Sequence, residues 1–234
     1  MHEKRTLKRD YMVSAIVTAA GKNRRMIEDL KVRKMPPKHK LLMDLHGNPV
    51  IIQTIKNVLN SGVDECTVVL GHFSREISEV LDGFHDERIK VIENPNMNVE
   101  LSQTLLNGVK NVKKGLCLCV AADQPIVTTE TMKKLIGKAL TYPEPDNIVS
   151  VLAREKTGYL ESAQGLGMPF VCHSKLLERY LPGRDDNLNP ILRDMIGDGV
   201  VFYGFPASNK LELVNINRYE DYLKVLEKIK KVKD

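Results

Sequence analysis

The chain of 234 residues contains no tryptophan, and phenylalanine and tyrosine bring its aromatic content to only 5%. Surfaces that bind nucleic acid interleave basic side chains with aromatic stacking platforms. The scattered aromatics therefore speak against a nucleic-acid partner, despite a net charge of +5. Long apolar runs are lacking too. No stretch approaches the roughly 18 to 20 apolar residues of a membrane span. The early run Met12 to Ala20, which follows the basic leader Met1–Asp10, is stopped by Gly21. It has neither the length nor the cleavage context of a secretory signal, so no membrane association and a cytoplasmic location are expected. Cysteine is scarce, with four residues and no C-x-x-C pair. Cys117 and Cys119 are one residue apart on an expected strand and so point to one face. Buried free thiols are expected rather than a metal site. Neither the Walker pattern nor G-x-G-x-x-G occurs, so a phosphate site here must use another design.

What the sequence does have is an ordinary globular balance, 42% hydrophobic and 28% charged. That length suits one large α/β domain, residues 1–234, better than two independent cores. Mainly apolar runs at about Val13 to Ala20, Cys66 to Gly71, Ile89 to Ile92, Leu116 to Ala122 and Ile148 to Ala153 read as strands buried on both faces, as in a parallel sheet. Helical spacing separates them, at Val50 to Asn60, Ser74 to Leu81, Glu100 to Val112 and Thr131 to Thr141. Further helices are expected at Ser174–Tyr180, Pro190–Ile196 and Tyr219–Lys233, with strands at Val200 to Phe205 and Leu211 to Asn217. Gly158–Gln164 reads as a polar segment, and Gly165–Cys172 as a loop and strand. Alternating strands and helices without a linker or repeat indicate a single α/β sandwich.

Two strand ends carry candidate chemistry. After the first strand, Gly21 is followed at once by Lys22, Arg24 and Arg25. A glycine turn that becomes cationic can surround a phosphate with backbone N–H groups and guanidinium forks. An ordinary strand-to-helix turn with solvated arginines is the alternative. The second end is Leu116 to Ala122 followed directly by Asp123-Gln124-Pro125, which sets a carboxylate at the C-terminal edge of a strand, where open α/β sheets bind ligands. Asp123 could equally cap the turn toward Thr128 and Thr129, the expected N-caps of the next helix.

The run Thr18-Ala19-Ala20-Gly21-Lys22-Asn23-Arg24-Arg25-Met26, with Lys40-Leu41-Leu42 and Gly47-Asn48-Pro49, resembles the A-A-G-x-x-x-R-M-G…K-L-L…G-x-P signature of MobA-like nucleotidyltransferases. The closest pattern is that of the molybdenum cofactor cytidylyltransferases. The resemblance implies a three-layer Rossmann-like fold of GT-A type with a mostly parallel sheet. It implies nucleotide contacts from Ala19, Ala20, Gly21, Arg25, Lys40, Asn94 and Thr104, with Arg25, Lys40 and Asp123 catalytic. Asp123 would hold Mg²⁺, joined by Asn215 or Asn217 of a terminal Val214-Asn215-Ile216-Asn217-Arg218 that is similar to the family's [ND]-[IL]-[ND]-T-P. Asparagines that merely shape a turn are the alternative there. Gly167 and Pro169 would line the acceptor pocket. Ala20, in an A-A-G rather than an A-G-G loop, favours CTP over GTP.

Departures from the signature are Ile27 for the family glycine, about ten extra residues before Lys40, and Glu100 where glycine is common. The extra segment, Ile27 to His39, crowds Lys31, Arg33, Lys34 and Lys38, and is expected to act as a lid over the phosphates, mobile when the site is empty and ordered with nucleotide and Mg²⁺; a passive surface insertion with solvated basic residues is the alternative. The implied reaction moves a nucleoside monophosphate from an NTP to a phosphorylated acceptor such as molybdopterin, releasing pyrophosphate. A sugar-phosphate or other small-metabolite nucleotidyltransferase, or a non-catalytic nucleotide binder on the same fold, are the alternatives.

Overall fold

The computed structural model describes residues 11–233, with side chains to residue 229. The leader Met1–Asp10 lies outside the described residues. Strand β1 (Val13–Ala19) is followed by helices α1 (Arg24–Val32) and α2 (Val50–Asn60), then β2 (Glu65–Leu70), α3 (Ser74–Asp82) and β3 (Ile89–Glu93). Next come α4 (Leu101–Val109), β4 (Leu116–Ala121), α5 (Thr129–Thr141), β5 (Ile148–Ala153), β6 (Gly158–Leu160) and β7 (Phe170–His173). The chain closes with α6 (Ser174–Tyr180), α7 (Leu188–Gly197), β8 (Val201–Pro206) and α8 (Tyr219–Lys233).

Among the described residues the eight strands form one sheet, in the order β3-β2-β1-β4-β7-β5-β8-β6. The pairs β1·β2, β1·β4, β2·β3 and β5·β8 are parallel, whereas β7 runs antiparallel to β4 and β5, and β6 to β8. Strands β4 and β5 are buried at every residue, as their mainly apolar runs require when helices cover both faces, whereas β3, at the sheet edge, has no fully buried residue. One face packs α1, α2, α3, α5 and α8 over a core that includes Met26, Ile55, Ile77, Leu135 and Val225. The other packs α4, α6 and α7 through Leu105, Leu177 and Leu192. This is the expected three-layer α/β architecture. The approach of α4 to β1 is close enough to require glycine, since a Cβ on Gly108 would stand 2.4 Å from Ile16 Cγ2.

All four cysteines are buried free thiols. Cys117 and Cys119 do face one core, where Cys172 joins them, and Cys66 lies in the other. Burial pushes the thiols of Cys66 and Cys117 up to about 12.

Two expectations need correction. Leu211 to Asn217 is not a strand: Lys210–Leu213 forms a 3₁₀ turn capped by Asn209, whose side-chain oxygen accepts from Leu211 N. The reason is Glu212, fully buried, whose Oε1 accepts from Thr128 N at 2.9 Å, Thr128 Oγ1 at 2.8 Å and Thr131 Oγ1 at 2.7 Å. Its Oε2 accepts from Ser208 N at 2.6 Å. A carboxylate that finds four donors at the head of α5 pulls its backbone out of any ladder. Within the polar segment Gly158–Gln164, the first three residues are the edge strand β6. Of the extra segment, residues 27–32 continue helix α1, which is anchored by buried Met26 and Leu30, and residues 33–39 carry no helix or strand.

Candidate active site

Strands β1 and β4 are parallel neighbours, and the chain leaves β1 toward β2 but returns to β4 on its other side. At such a reversal the loops after the two strands separate and leave a crevice at their C-terminal ends. A cavity of about 550 Å³ lies there. Its walls include Ala19, Ala20, Gly21, Arg25, Lys40, Thr104, Asp123, Asn215 and Asn217. The sequence thus places nine candidate residues around one cavity.

The loop after β1 is shaped by Asn23, which adopts the left-handed conformation with φ of 57° just before α1. Asparagine tolerates this conformation better than most residues. Its side chain fastens the extra segment to the loop: Nδ2 donates to Lys38 O at 3.1 Å, and Oδ1 accepts from Lys40 N at 3.2 Å. His39 lies between them, 3% exposed and packed against the Phe73 ring at 4.8 Å. Its Nδ1 accepts from Leu41 N and its Nε2 faces Gly21 O. Burial is the main force that pulls the His39 pKa down to about 4; Lys40 adds to it and the Gly21 carbonyl opposes it. The imidazole is therefore neutral near pH 7 and acts as a rigid spacer beneath the loop. Held this way, Lys40 reaches into the cavity while Lys38 remains exposed outside it.

Lys40 Nζ lies 2.5 Å from Asp123 Oδ2 and 3.4 Å from Asn217 Oδ1. Arg25 Nη2 donates to the same Asn217 oxygen at 3.1 Å. The other oxygen of Asp123 accepts from Asn215 Nδ2 at 2.9 Å. A chain of contacts fixes that amide. The Met168 carbonyl can only accept, so Gln124 turns its Nε2 toward it, 3.0 Å away. The same Nε2 meets Asn215 Oδ1 at 3.3 Å, which leaves the Asn215 NH₂ for Asp123. Gln124 Oε1 is buried and has no partner among the described residues, a cost of about 1–3 kcal/mol that this arrangement sustains.

The segment with the two asparagines is pinned along its length. Glu212 anchors it before Asn215, Ile216 N donates to Asp123 O at 2.9 Å, and Asp221 accepts from the backbone of Asn217 and Arg218. Asp29 of α1 then accepts from Arg218 Nη1 at 2.9 Å and from Tyr219 N at 3.1 Å.

Other expected residues lie elsewhere. Asn94 is buried behind the wall, donating to Thr104 Oγ1 at 2.9 Å. Gly167 and Pro169 do not line the cavity, but Met168 between them does. Glu100 does face the cavity, with Asn187 near the opening. Asn23, His39 and Gln124 were not singled out from the sequence. Asn23 carried a signal, an αL-tolerant residue two places after a turn glycine and at the start of a helix. His39 and Gln124 carried none, because their partners are far away in sequence.

Among the described residues no group of three or more histidines, cysteines and carboxylates could hold a metal ion. The oxygen donors that line the cavity are two carboxylates, Asp123 and Glu100, and the amides of Asn215 and Asn217, whose oxygens accept from Gln124 and from Arg25 and Lys40. That set fits a hard divalent cation of the magnesium type, which is commonly bound through one or two carboxylates and takes further oxygens from substrate phosphates.

The MobA-like NTP transferase domain family matches residues 15–196. The bifunctional protein GlmU of Staphylococcus epidermidis is 25% identical over 210 residues, which is 89% of this chain and 43% of that protein. The chain therefore spans less than half the length of that curated relative. A solved nucleotidyl transferase from Methanothermobacter thermautotroptrophicus is 42% identical, with a TM-score of 0.87 over 94% of this chain and 99% of the other. The 4-diphosphocytidyl-2C-methyl-D-erythritol synthase of Anaerococcus prevotii shares the fold at 15% identity, with a TM-score of 0.67 over 94% of this chain and 96% of its own. A family match from Ala15 to Ile196, together with 42% identity to a solved nucleotidyl transferase of the same fold, makes this chain a member of the MobA-like NTP transferase domain family.

Proposed function

We propose that the cavity at the ends of β1 and β4 binds an NTP, with CTP preferred, and transfers its nucleoside monophosphate to a phosphorylated small-molecule acceptor. The observation that carries this reading is the convergence of Arg25, Lys40 and Asp123 beside the Ala19-Ala20-Gly21 loop. An acceptor phosphate oxygen attacks the α-phosphorus in line, the bond from that phosphorus to the bridging oxygen breaks, and pyrophosphate leaves. A phosphate monoester is largely ionised near neutral pH, so no general base is required of the protein. Its work is to position groups and compensate charge. The Arg25 fork would engage the departing β- and γ-phosphates, and Lys40, moving from Asp123 to the triphosphate, would supply a point charge. Asp123 would hold Mg²⁺, which when bound neutralises phosphate charge and polarises the α-phosphate.

CTP is favoured because the Ala20 side chain occupies room beside the base. Ala20 is itself held closely from behind: a Cβ on Gly71 would stand 2.7 Å from the Ala20 Cβ. Motif resemblance favours molybdopterin as acceptor, whereas the similarity to a diphosphocytidyl-methylerythritol synthase favours a sugar or polyol phosphate. The deciding experiment offers each NTP with Mg²⁺ and either acceptor class, follows pyrophosphate release, and identifies the product by mass. Pyrophosphate release that depends on neither acceptor class would refute the proposed transfer.

A further inference from the structure

The cationic wall of the cavity raises a question of charge. Among the described residues none of Lys22, Arg24 and Arg25 has an acidic side chain within ion-pair distance. Lys40 has Asp123. Yet the Arg25 and Lys40 groups converge on one atom, the side-chain oxygen of Asn217, at 3.1 Å and 3.4 Å. Two cations this near one another repel unless something between them accepts from both.

That oxygen is well placed for the task. The Asn217 backbone N–H is fixed to Asp221 Oδ2 at 3.1 Å, and the preceding Ile216 is fully buried and bonded to Asp123 O. Among the described residues the Asn217 side chain makes only these hydrogen bonds, so it does not hold its own segment in place. Asn215 is committed differently, with its NH₂ on Asp123 and its oxygen on Gln124. The two asparagines therefore serve different masters: Asn215 orients the carboxylate, and Asn217 orients the cations.

We infer that Asn217 is a positioning residue of the phosphate site, a neutral acceptor that holds Arg25 and Lys40 side by side and leaves their charge available to a triphosphate. This rests on the reading that the cavity takes an NTP. An aspartate at the same position would orient both groups as well, but as an ion pair with each it would spend the charge that must meet phosphate. An amide oxygen accepts without neutralising.

Titration calorimetry with inorganic tripolyphosphate in EDTA tests this without metal and without turnover. Asn217→Asp should weaken binding by at least about 10-fold at low salt, and added salt should shrink the difference because the new attraction is screened. Asn217→Ala should weaken it by a smaller factor, about 3-fold, from lost orientation alone. Thermal unfolding of both variants should match that of the wild type, since the side chain anchors nothing else. Equal tripolyphosphate affinity for wild type and Asn217→Asp overturns the inference while leaving the phosphate site standing. The same holds if Asn217→Ala binds as weakly as Asn217→Asp. No tripolyphosphate binding by the wild type overturns the site reading and the inference together.

Discussion

The ammonium of Lys40 and the carboxylate of Asp123 stand 2.5 Å apart, with side chains 12% and 14% exposed, although 83 positions separate them in sequence. The pair joins the extra segment to the end of β4 and brings the expected phosphate cation to the expected metal carboxylate. Lys40→Met should weaken CTP binding by about 10- to 100-fold, the range for losing a hydrogen bond to a charged group. Lys38→Met, which removes the same charge from outside the cavity, should change it by less than about 3-fold. Titration of each variant with CTP and Mg²⁺ reads both numbers. Equal losses would mean that the extra segment has been read in the wrong register.

Asp123 has a separate consequence. Asp123→Asn keeps the shape and retains an oxygen, but removes the charge that the proposed metal site needs. Turnover should fall at least about 100-fold, while the chain still folds. Rates of pyrophosphate release, with circular dichroism as control, check this; wild-type turnover in the variant would remove Asp123 from the chemistry.

Much of this architecture was legible because the inner strands are apolar runs bounded by breakers. Val13 to Ala20 ends at a glycine, and Leu116 to Ala122 ends at Asp123 and Pro125. What was not legible depended on distant partners. Leu211-Glu212-Leu213-Val214 alternates like a strand, yet the buried Glu212 bonds to Thr128 and Thr131 over 80 positions away, so the alternation misled. Helix α1 buries only Met26 and Leu30, too few apolar positions to stand out among its charges. The antiparallel direction of β7 is set by its connection, and no residue in Phe170–His173 records it. In the site, Arg25 and Asp123 could be read from strand ends and Lys40 from the resemblance carried by Lys40-Leu41-Leu42, but the hydrogen bonds of Asn23 and His39 that place Lys40 could not.

Glu212 offers the next test, because its carboxylate oxygens take three donors on one side and one on the other. Glu212→Gln must turn an NH₂ toward at least one of those N–H or O–H groups. The variant should lose about 1–3 kcal/mol of stability and also lower turnover, since the segment holding Asn215 and Asn217 loses its anchor. Urea unfolding gives the first quantity and pyrophosphate release the second. An unchanged unfolding midpoint would show that the buried carboxylate is dispensable.

His39 predicts an acid limit. Its folded pKa, about 4, lies below the ordinary 6.5, so between these values the unfolded chain binds a proton that the folded chain does not. Stability is then fully present above about pH 6.5 and is lost as pH falls toward 4, by an amount on the order of 3 kcal/mol. His173, also lowered by burial, works in the same direction. His39→Gln should therefore flatten, without abolishing, the slope of unfolding free energy between pH 4 and 6.5. A slope identical to wild type would mean that His39 titrates normally in the folded protein.

The extra segment yields the last test: the charge crowding of Lys31, Arg33, Lys34 and Lys38 predicts a lid, and the structure shows its first part, 27–32, as helix α1 docked on the core. Of the four cations, Arg33 has partners within the fold, and α1 is tied to the start of α8. Asp29 binds Arg218 and the Tyr219 backbone, while Arg33 lies 4.9 Å from the centre of the Tyr219 ring and 4.0 Å from Glu220. Trypsin needs an opened stretch of chain, so cleavage after Lys31 should be slow in the free protein and nearly unchanged by CTP and Mg²⁺. Asp29→Asn removes the charge that ties α1 to α8. A loss of about 1 kcal/mol there would raise the open population, and with it the cleavage rate, roughly 5-fold. Rapid cleavage after Lys31 in the wild type, slowed by nucleotide, would instead restore the lid and make α1 a helix that the ligand assembles.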